Sequence, residues 1–521
     1  MMILLNILVF VLILGTIIAI HELGHLIFAK KAKILCYEYS LGFGPKIYNK
    51  KGKETEFSIR AIPLGGFVSM AGEISSEMIK EGQVIGLNFT DGKIKEIVLT
   101  DRVKAELTLK VTKFEIYDEK ETGYLFIEGM SLGNLEHFEI LENATYIVTE
   151  KQKLQIAPYN RSFESKTYMQ KLLTLLAGPG MNFLLAILLF FFVAAFTGKP
   201  QNTNVVGETI KGLPASVVGI EKNDKIISIG GTKINNWTDI GAVYDDLSSY
   251  EEVEIKILRD NQPSFKTVNL AIEIAQLGLA NFNEDGVLIN ESGSVGAIVG
   301  TAYGKTTDLL NEGDIITEVK YLNESFLVES WHDLVKVIDS LDGSELEVKV
   351  LRENEELTET IPVWEKKVLK SQNVDAYNII LGVNPERKFS LSYSLTQPFI
   401  SAWDSFYQVI SVVGLLLGGS SQVGVSDLSG PIGIFNIIGQ VMSQGFIALL
   451  SFMAFLSVNV GVLNLLPIPA LDGGRILFIS IEGITRKKIS KNVDNLINNI
   501  FFFLLMALLI YVTINDIFRI F

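Results

Sequence analysis

Four stretches of the chain are apolar for about the length of a bilayer core: 3–29, 172–196, 447–466 and 500–517. A helix of about 20 residues crosses that core, so each stretch predicts a membrane-spanning helix. A fifth apolar stretch, Phe399 to Leu417, carries Asp404 and ends in Gly418-Gly419-Ser420, which predicts an amphipathic, interfacial helix within a segment 390–440. Elsewhere the period shortens. Between Tyr37 and Met70, alternating apolar residues are broken by Gly42-Phe43-Gly44-Pro45 and by Ile62-Pro63-Leu64-Gly65-Gly66-Phe67-Val68, the pattern of a hairpin spanning 37–73. Runs at 94–99, 107–117, 124–127 and 146–149 mix β-branched and aromatic residues with turn signals and predict a small β-rich insert over 74–160.

The region from Thr203 to Ile274 contains Gly212-Leu213-Pro214-Ala215, then Asn223-Asp224-Lys225-Ile226-Ile227-Ser228-Ile229-Gly230-Gly231, then Trp237, and looks like a PDZ domain over 203–275. A second copy over 283–365 answers it with Asn311-Glu312-Gly313-Asp314-Ile315-Ile316-Thr317-Glu318-Val319 and Trp331. PDZ folds take peptides as an added strand, so the pair is expected to bind a chain end, to filter substrates by size, or to act as a spacer.

Hydrophobic residues make up 48% of the 521 residues and charged residues 20%, with a net charge of -14. That balance is too apolar for a wholly soluble chain and too charged for a wholly membrane-embedded one, so a mixed, multidomain architecture follows. The acidic excess argues against nucleic acid as a partner. A lone cysteine, Cys36, excludes an intrachain disulfide and reads as structural. The N-terminal apolar run lacks a basic leader and a small-residue cleavage pattern, so it reads as a retained span. Lys30, Lys31 and Lys33 follow the first span, and Arg486, Lys487, Lys488 and Lys491 precede the last. By the positive-inside rule both loops are cytoplasmic, which puts the N-terminus and 199–398 outside.

The candidate chemistry sits at the end of the first span, in His21-Glu22-Leu23-Gly24-His25. Positions i and i+4 share a helix face, so the two imidazoles can serve one metal ion with Glu22 as a base beside them. The bare pattern also occurs in helices that bind nothing. A catalytic zinc site usually has three protein ligands and a water, and the chain's other histidines, His137 and His332, lie in polar stretches. Asp472 is the better third ligand. It follows an apolar stretch in Asn464-Leu465-Leu466-Pro467-Ile468-Pro469-Ala470-Leu471-Asp472-Gly473-Gly474, and an acid at membrane depth costs about 2.5–3.5 kcal/mol unless it is used. Taken alone, Leu-Asp-Gly-Gly also reads as a helix-stop turn. The site falls toward the cytoplasmic side, because His21 comes late in a span entering from outside.

With these motifs, with Ala177-Gly178-Pro179-Gly180-Met181-Asn182-Phe183 opening a span, and with Leu428-Ser429-Gly430-Pro431-Ile432, the chain resembles the site-2 proteases of the bacterial regulator-of-sigma-E type. The resemblance covers most of the chain except about 75–160. It implies a polytopic α-helical membrane protein with four transmembrane helices, tandem PDZ domains and a small β-rich cytoplasmic insert. The helices fall within 1–36, 168–198, 441–478 and 498–519. It also implies Zn2+ held by His21, His25 and Asp472, Glu22 as general base, and substrate contacts at Asn464, Pro467, Gly65 and Gly66, the last two on a membrane-associated hairpin that receives an unwound strand. The implied activity is intramembrane cleavage, in the plasma membrane of a bacterium, of proteins with a single transmembrane segment, such as anti-sigma factors or remnant signal peptides. The competing reading is a non-enzymatic membrane adaptor with PDZ domains and a structural metal site.

Overall fold

The computed structural model describes residues 2–72, 78–120, 122–150, 153–246, 252–283, 285–289, 296–322, 324–418, 422–487 and 489–520. Its helices are α1 (Met2–Lys31), α2 (Tyr168–Thr197), α3 (Pro214–Val217), α4 (Trp237–Asp246), α5 (Trp331–Ile338), α6 (Lys366–Ser371), α7 (Leu391–Leu417), α8 (Pro431–Ser443), α9 (Phe446–Leu465), α10 (Asp472–Thr485) and α11 (Lys491–Ile520). Among the described residues five stretches are long and apolar enough to cross a membrane: Ile3–Lys31, Tyr168–Thr197, Leu391–Leu417, Phe446–Leu465 and Val493–Arg519. The third is the segment whose pattern predicts an interfacial helix. It begins eight residues before Phe399, and one acid, Asp404, in 27 residues leaves it apolar enough to span. Gly419, Ser420 and Lys488 lie outside the described residues. The chain divides into two compact units, one of 1–190 with 429–521 and one of 191–428.

In the first unit, α1 carries no charged residue through Ile20, and its Ile13 and Ile17 are buried. Helix α8 starts at a proline, which has no N–H to leave unsatisfied at a helix start. Its first turn is capped from α11, where buried Asp516 accepts the Gly433 N–H at 2.8 Å. Side chains at Gly430 and Gly433 would meet the Asp516 carboxylate oxygens at 2.8 and 2.9 Å, which explains the small residues flanking Pro431. Strands β1 (Cys36–Lys51) and β2 (Glu56–Met70) fold back on each other, so that Glu38 to Leu41 lie between Gly66 to Ser69 on one side and Glu56 to Ile59 on the other.

A small barrel follows, built from β3 (Val84–Thr90), β4 (Lys93–Val98), β5 (Leu107–Glu115), β6 (Phe126–Ser131), β7 (Asn134–Ile147) and β8 (Lys153–Gln155). The order is β4-β3-β5-β6-β7-β8, and a parallel β4–β7 pairing closes the first five strands on themselves. Closure leaves those strands no open edge. Alternate residues, among them Ile85, Leu87, Ile94, Ile97, Leu109, Val111 and Ile127, fill the interior.

The second unit contains one module twice. Strands Lys225–Ile229 and Thr232–Lys233, α4, and the hairpin Glu252–Arg259/Gln262–Asn269 are answered by Ile315–Tyr321 and Glu324–Leu327, α5, and Glu345–Arg352/Glu355–Pro362. Both hairpins turn on two residues of positive φ, Asp260-Asn261 and Glu353-Asn354, as a two-residue type I′ turn demands. Each module buries one aspartate under an arginine. Asp224 accepts from Arg259 at 2.8 and 2.7 Å, and Asp314 from Arg352 at the same distances. The first module is completed from beyond the second: Asn378–Ile380 pairs with Ala271–Ile274, and Val383–Pro385 pairs with Val206–Thr209. These strands lie outside the 203–275 span expected from local pattern, because sheet partners distant in sequence leave no local signal.

Candidate metal centre

One turn of α1 separates His21 from His25, and both rings face the first residue of α10. His21 Nε2 and His25 Nε2 each lie 3.2 Å from Asp472 Oδ2 and 3.2 Å from each other. A tetrahedral ion with donors at about 2.0–2.1 Å needs neighbouring donors about 3.3–3.4 Å apart, so the triangle has the size of one face of that tetrahedron. Its chemistry fits a cation too. His25 Nδ1 is 2.8 Å from the Thr174 carbonyl oxygen, which can only accept, so Nδ1 carries the proton and Nε2 presents a lone pair. Asp472 Oδ2 is buried without a hydrogen bond. Electron pairs of His25 and Asp472 thus converge on the point that His21 Nε2 also faces. Among the described residues this is the one group of three histidine, cysteine or carboxylate side chains close enough to share an ion. His137 instead stacks on Phe126 in the barrel, and His332 is buried on α5.

Glycines make the convergence possible. A Cβ at Gly178 on α2 would lie 2.3 Å from His25 Nε2 and 2.9 Å from His21 Nε2, and one at Gly24 would lie 2.2 Å from the Ala177 carbonyl oxygen. Helices α1 and α2 therefore touch backbone to backbone beside the imidazoles. After α9, Pro467 and Pro469 end the helical hydrogen bonding, and the chain turns through Ala470 at φ 73°. The carbonyls of Leu466 and Ile468 then fall 2.2 and 2.3 Å from where side chains at Gly473 and Gly474 would begin. The turn packs onto the start of α10 and leaves Asp472 in its first helical turn, where the helix dipole favours an acid.

Glu22 is buried on α1, and Gly66 sits against it: a Cβ there would lie 2.9 Å from Glu22 Cγ. Gly65, at φ 105°, lies beneath the ring of Phe43. Gly66 to Ser69 pair with Leu41 to Glu38, and no other described strand pairs with their far side. Asn464 donates to the Val460 carbonyl of its own helix at 3.0 Å, and Pro467 is exposed in the turn that follows. The sequence reading does not bring out Thr174, whose carbonyl holds His25, and it has Asn182 only inside the Ala177–Phe183 motif, without a role; its amide meets His21 Nδ1 at 3.2 Å. Their signal is present. Thr174, Gly178 and Asn182 recur every four residues, a stripe of polar and small residues down one face of an otherwise apolar helix.

The profile described as Peptidase family M50 matches residues 9–508. Zinc metalloprotease RasP of Geobacillus kaustophilus is 30% identical over 515 residues, covering 98% of this chain and 97% of that one. A protein of the same name from Bacillus licheniformis is 32% identical over 525 residues, covering 99% of each. Regulator of sigma-W protease RasP of Bacillus subtilis is 31% identical over 527 residues, again covering 99% of each. The match takes in both helices that carry the His21, His25 and Asp472 cluster, and the chain belongs to peptidase family M50.

Proposed function

We propose that the protein is an intramembrane zinc endopeptidase that cleaves membrane-spanning substrates, with His21, His25 and Asp472 as zinc ligands and Glu22 as general base. One observation carries the reading: two histidine nitrogens and a carboxylate oxygen that makes no hydrogen bond meet at 3.2 Å beside an apolar helix. When bound, zinc supplies a Lewis acid and lowers the pKa of a ligated water to about 7. The Glu22 carboxylate takes a proton from the attacking water and delivers it to the leaving amine nitrogen. A helical substrate hides its carbonyls in its own hydrogen bonds, so it unwinds first, and the open side of Gly66 to Ser69 receives it as an added strand. Gly66 keeps that strand close to Glu22, while Gly65, Asn464 and Pro467 complete the substrate path.

The two repeated modules are PDZ domains on the outer face, over 203–275 and 283–365 with two strands returned from 378–385. The chain crosses a bacterial plasma membrane several times, with the zinc site toward the cytoplasm and the basic loops near Lys30 and Arg486 on that side. The similarity to the Bacillus subtilis regulator of sigma-W protease favours membrane-anchored anti-sigma factors as substrates.

The test is cleavage of a single-span substrate by the purified full chain in detergent, comparing wild type, Glu22→Gln and chelator-treated protein. Loss of cleavage by about 10²–10⁴-fold in Glu22→Gln with zinc retained, and loss on chelation restored by added zinc, are the expected results. Zinc binding without cleavage of any single-span substrate would support the adaptor instead.

A further inference from the structure

Asn182 on α2 is fully buried, and its amide meets His21 from the side opposite the metal cluster. Nδ2 lies 3.2 Å from His21 Nδ1, while Oδ1 is buried with no hydrogen-bond partner. The two ends of an amide have the same shape and are assigned from their partners. Either setting leaves one end unpartnered, so the imidazole contact decides. With the nitrogen toward the ring, Nδ1 must accept, and the ring proton goes to Nε2. That proton would stand between Nε2 and the two other donor atoms, where the convergent geometry calls for a lone pair. With the oxygen toward the ring, Nδ1–H donates to Oδ1 and Nε2 is free. The Thr174 carbonyl already imposes this tautomer on His25 from the same helix.

We infer that Asn182 is a positioning residue: its side-chain oxygen holds His21 in the Nδ1–H tautomer and in the ring orientation that makes Nε2 a metal ligand. The inference rests on the reading of His21 as a zinc ligand. The backbone beneath the amide is pinned as well. Ser457 Oγ on α9 donates to the Asn182 carbonyl at 2.8 Å, with both residues fully buried. Gly461, one turn along, would bring a Cβ within 3.5 Å of Asn182 Cβ and 3.3 Å of the Pro179 carbonyl oxygen. The amide therefore starts from a fixed point between α1 and α9.

The experiment is zinc competition against a graded chelator on the full chain in detergent, for wild type, Asn182→Leu, Asn182→Asp and a His21→Ala control. Partners that orient a metal-binding histidine are worth about 10–100-fold in metal affinity. Asn182→Leu keeps the shape without the acceptor and should weaken zinc by that factor. Asn182→Asp keeps the acceptor and should match or exceed wild type. Equal affinity in Asn182→Leu and wild type, or equal weakening in both variants, overturns the assignment. A wild type that binds no zinc, or binds it equally with His21→Ala, instead sinks the metal reading on which it rests. Since the leucine variant can fail for packing reasons, the second readout uses wild type. The chain has four histidines, so ¹⁵N-labelled imidazole spectra of zinc-free protein, assigned by His21→Ala, report the tautomer directly. A proton on Nδ1 of His21 is expected, and an Nδ1 that carries none refutes the inference.

Discussion

A methyl group at Gly178 should cost the protein its metal while leaving its helices in place. The added Cβ would stand 2.3 Å from His25 Nε2, 2.6 Å from its Cε1 and 2.9 Å from His21 Nε2. Ordinary contact begins at about 3.4 Å, so His25 must retreat by about 1.1 Å and His21 by about 0.5 Å. Metal–ligand distances hold to about 0.2 Å, so both displacements exceed what a site can absorb. Helix α2 has little freedom to yield instead, because the Ala177 carbonyl lies against Gly24 of α1 and Ser457 grips Asn182 from α9. Overpacking costs about 1–3 kcal/mol, while alanine for glycine in a helix returns about 1 kcal/mol, so the fold should survive. With two of the proposed ligands displaced, zinc affinity should fall by at least about 100-fold, the upper end of what losing a supporting contact alone does. The assay is zinc content and chelator competition on Gly178→Ala, with cleavage measured in parallel. Gly180→Ala is the matched control, since a Cβ there meets nothing within 4 Å. Wild-type zinc affinity and cleavage in Gly178→Ala would refute the placement of α2 against the two imidazoles.

Gly66→Val should lower cleavage at least about tenfold without lowering zinc content, because the new side chain begins 2.9 Å from Glu22 Cγ and 2.8 Å from the Ser40 carbonyl oxygen; equal turnover would remove Gly66 from the substrate path. Asp224→Asn should destabilise the 191–428 unit by about 1–3 kcal/mol, read as an earlier thermal transition of the full chain, since it weakens the paired bonds from Arg259 to a buried carboxylate. The same residue sets an acid limit. Burial alone would raise the Asp224 carboxyl, but bonds from Arg259 and the Glu221 N–H hold it below its usual range. A carboxyl lowered by folding adds stability that is complete above its unfolded value, about 3.9, and is lost as pH falls through the folded value. Wild type should therefore lose more stability than Asp224→Asn below about pH 4, and parallel acid profiles would contradict this.

The parts of the fold that were legible in the sequence are those whose cause is local. Apolar length marks α1, α2, α9 and α11, because a bilayer core demands about 20 residues wherever it is crossed. The i, i+4 spacing marks His21 and His25, since a helix alone brings them together. Asp472 was legible because an acid next to an apolar run demands a reason. Distant effects left weaker traces. Nothing near Asn378 says that it completes a sheet begun at Ala271, and nothing in β4 announces that it will close on β7. Asn182 falls between these cases. Its four-residue spacing from Gly178 is visible, but its use depends on which way a ring on another helix points.

The return of 378–385 to the first module sets an order in time. A ribosome releases the hairpin Glu252–Arg259/Gln262–Asn269 long before it releases the strands that lie against Ala271–Ile274 and Val206–Thr209. About 110 residues separate Asn269 from Asn378, which at about 5–20 residues per second is a wait of about 5–20 s. The Ile315–Tyr321 sheet of the second module lies wholly within that interval and can close first. Folding of this unit therefore runs inside-out along the sequence: the module begun first is finished last, and Val206–Thr209 stays without its Val383–Pro385 partner until the chain has passed residue 385.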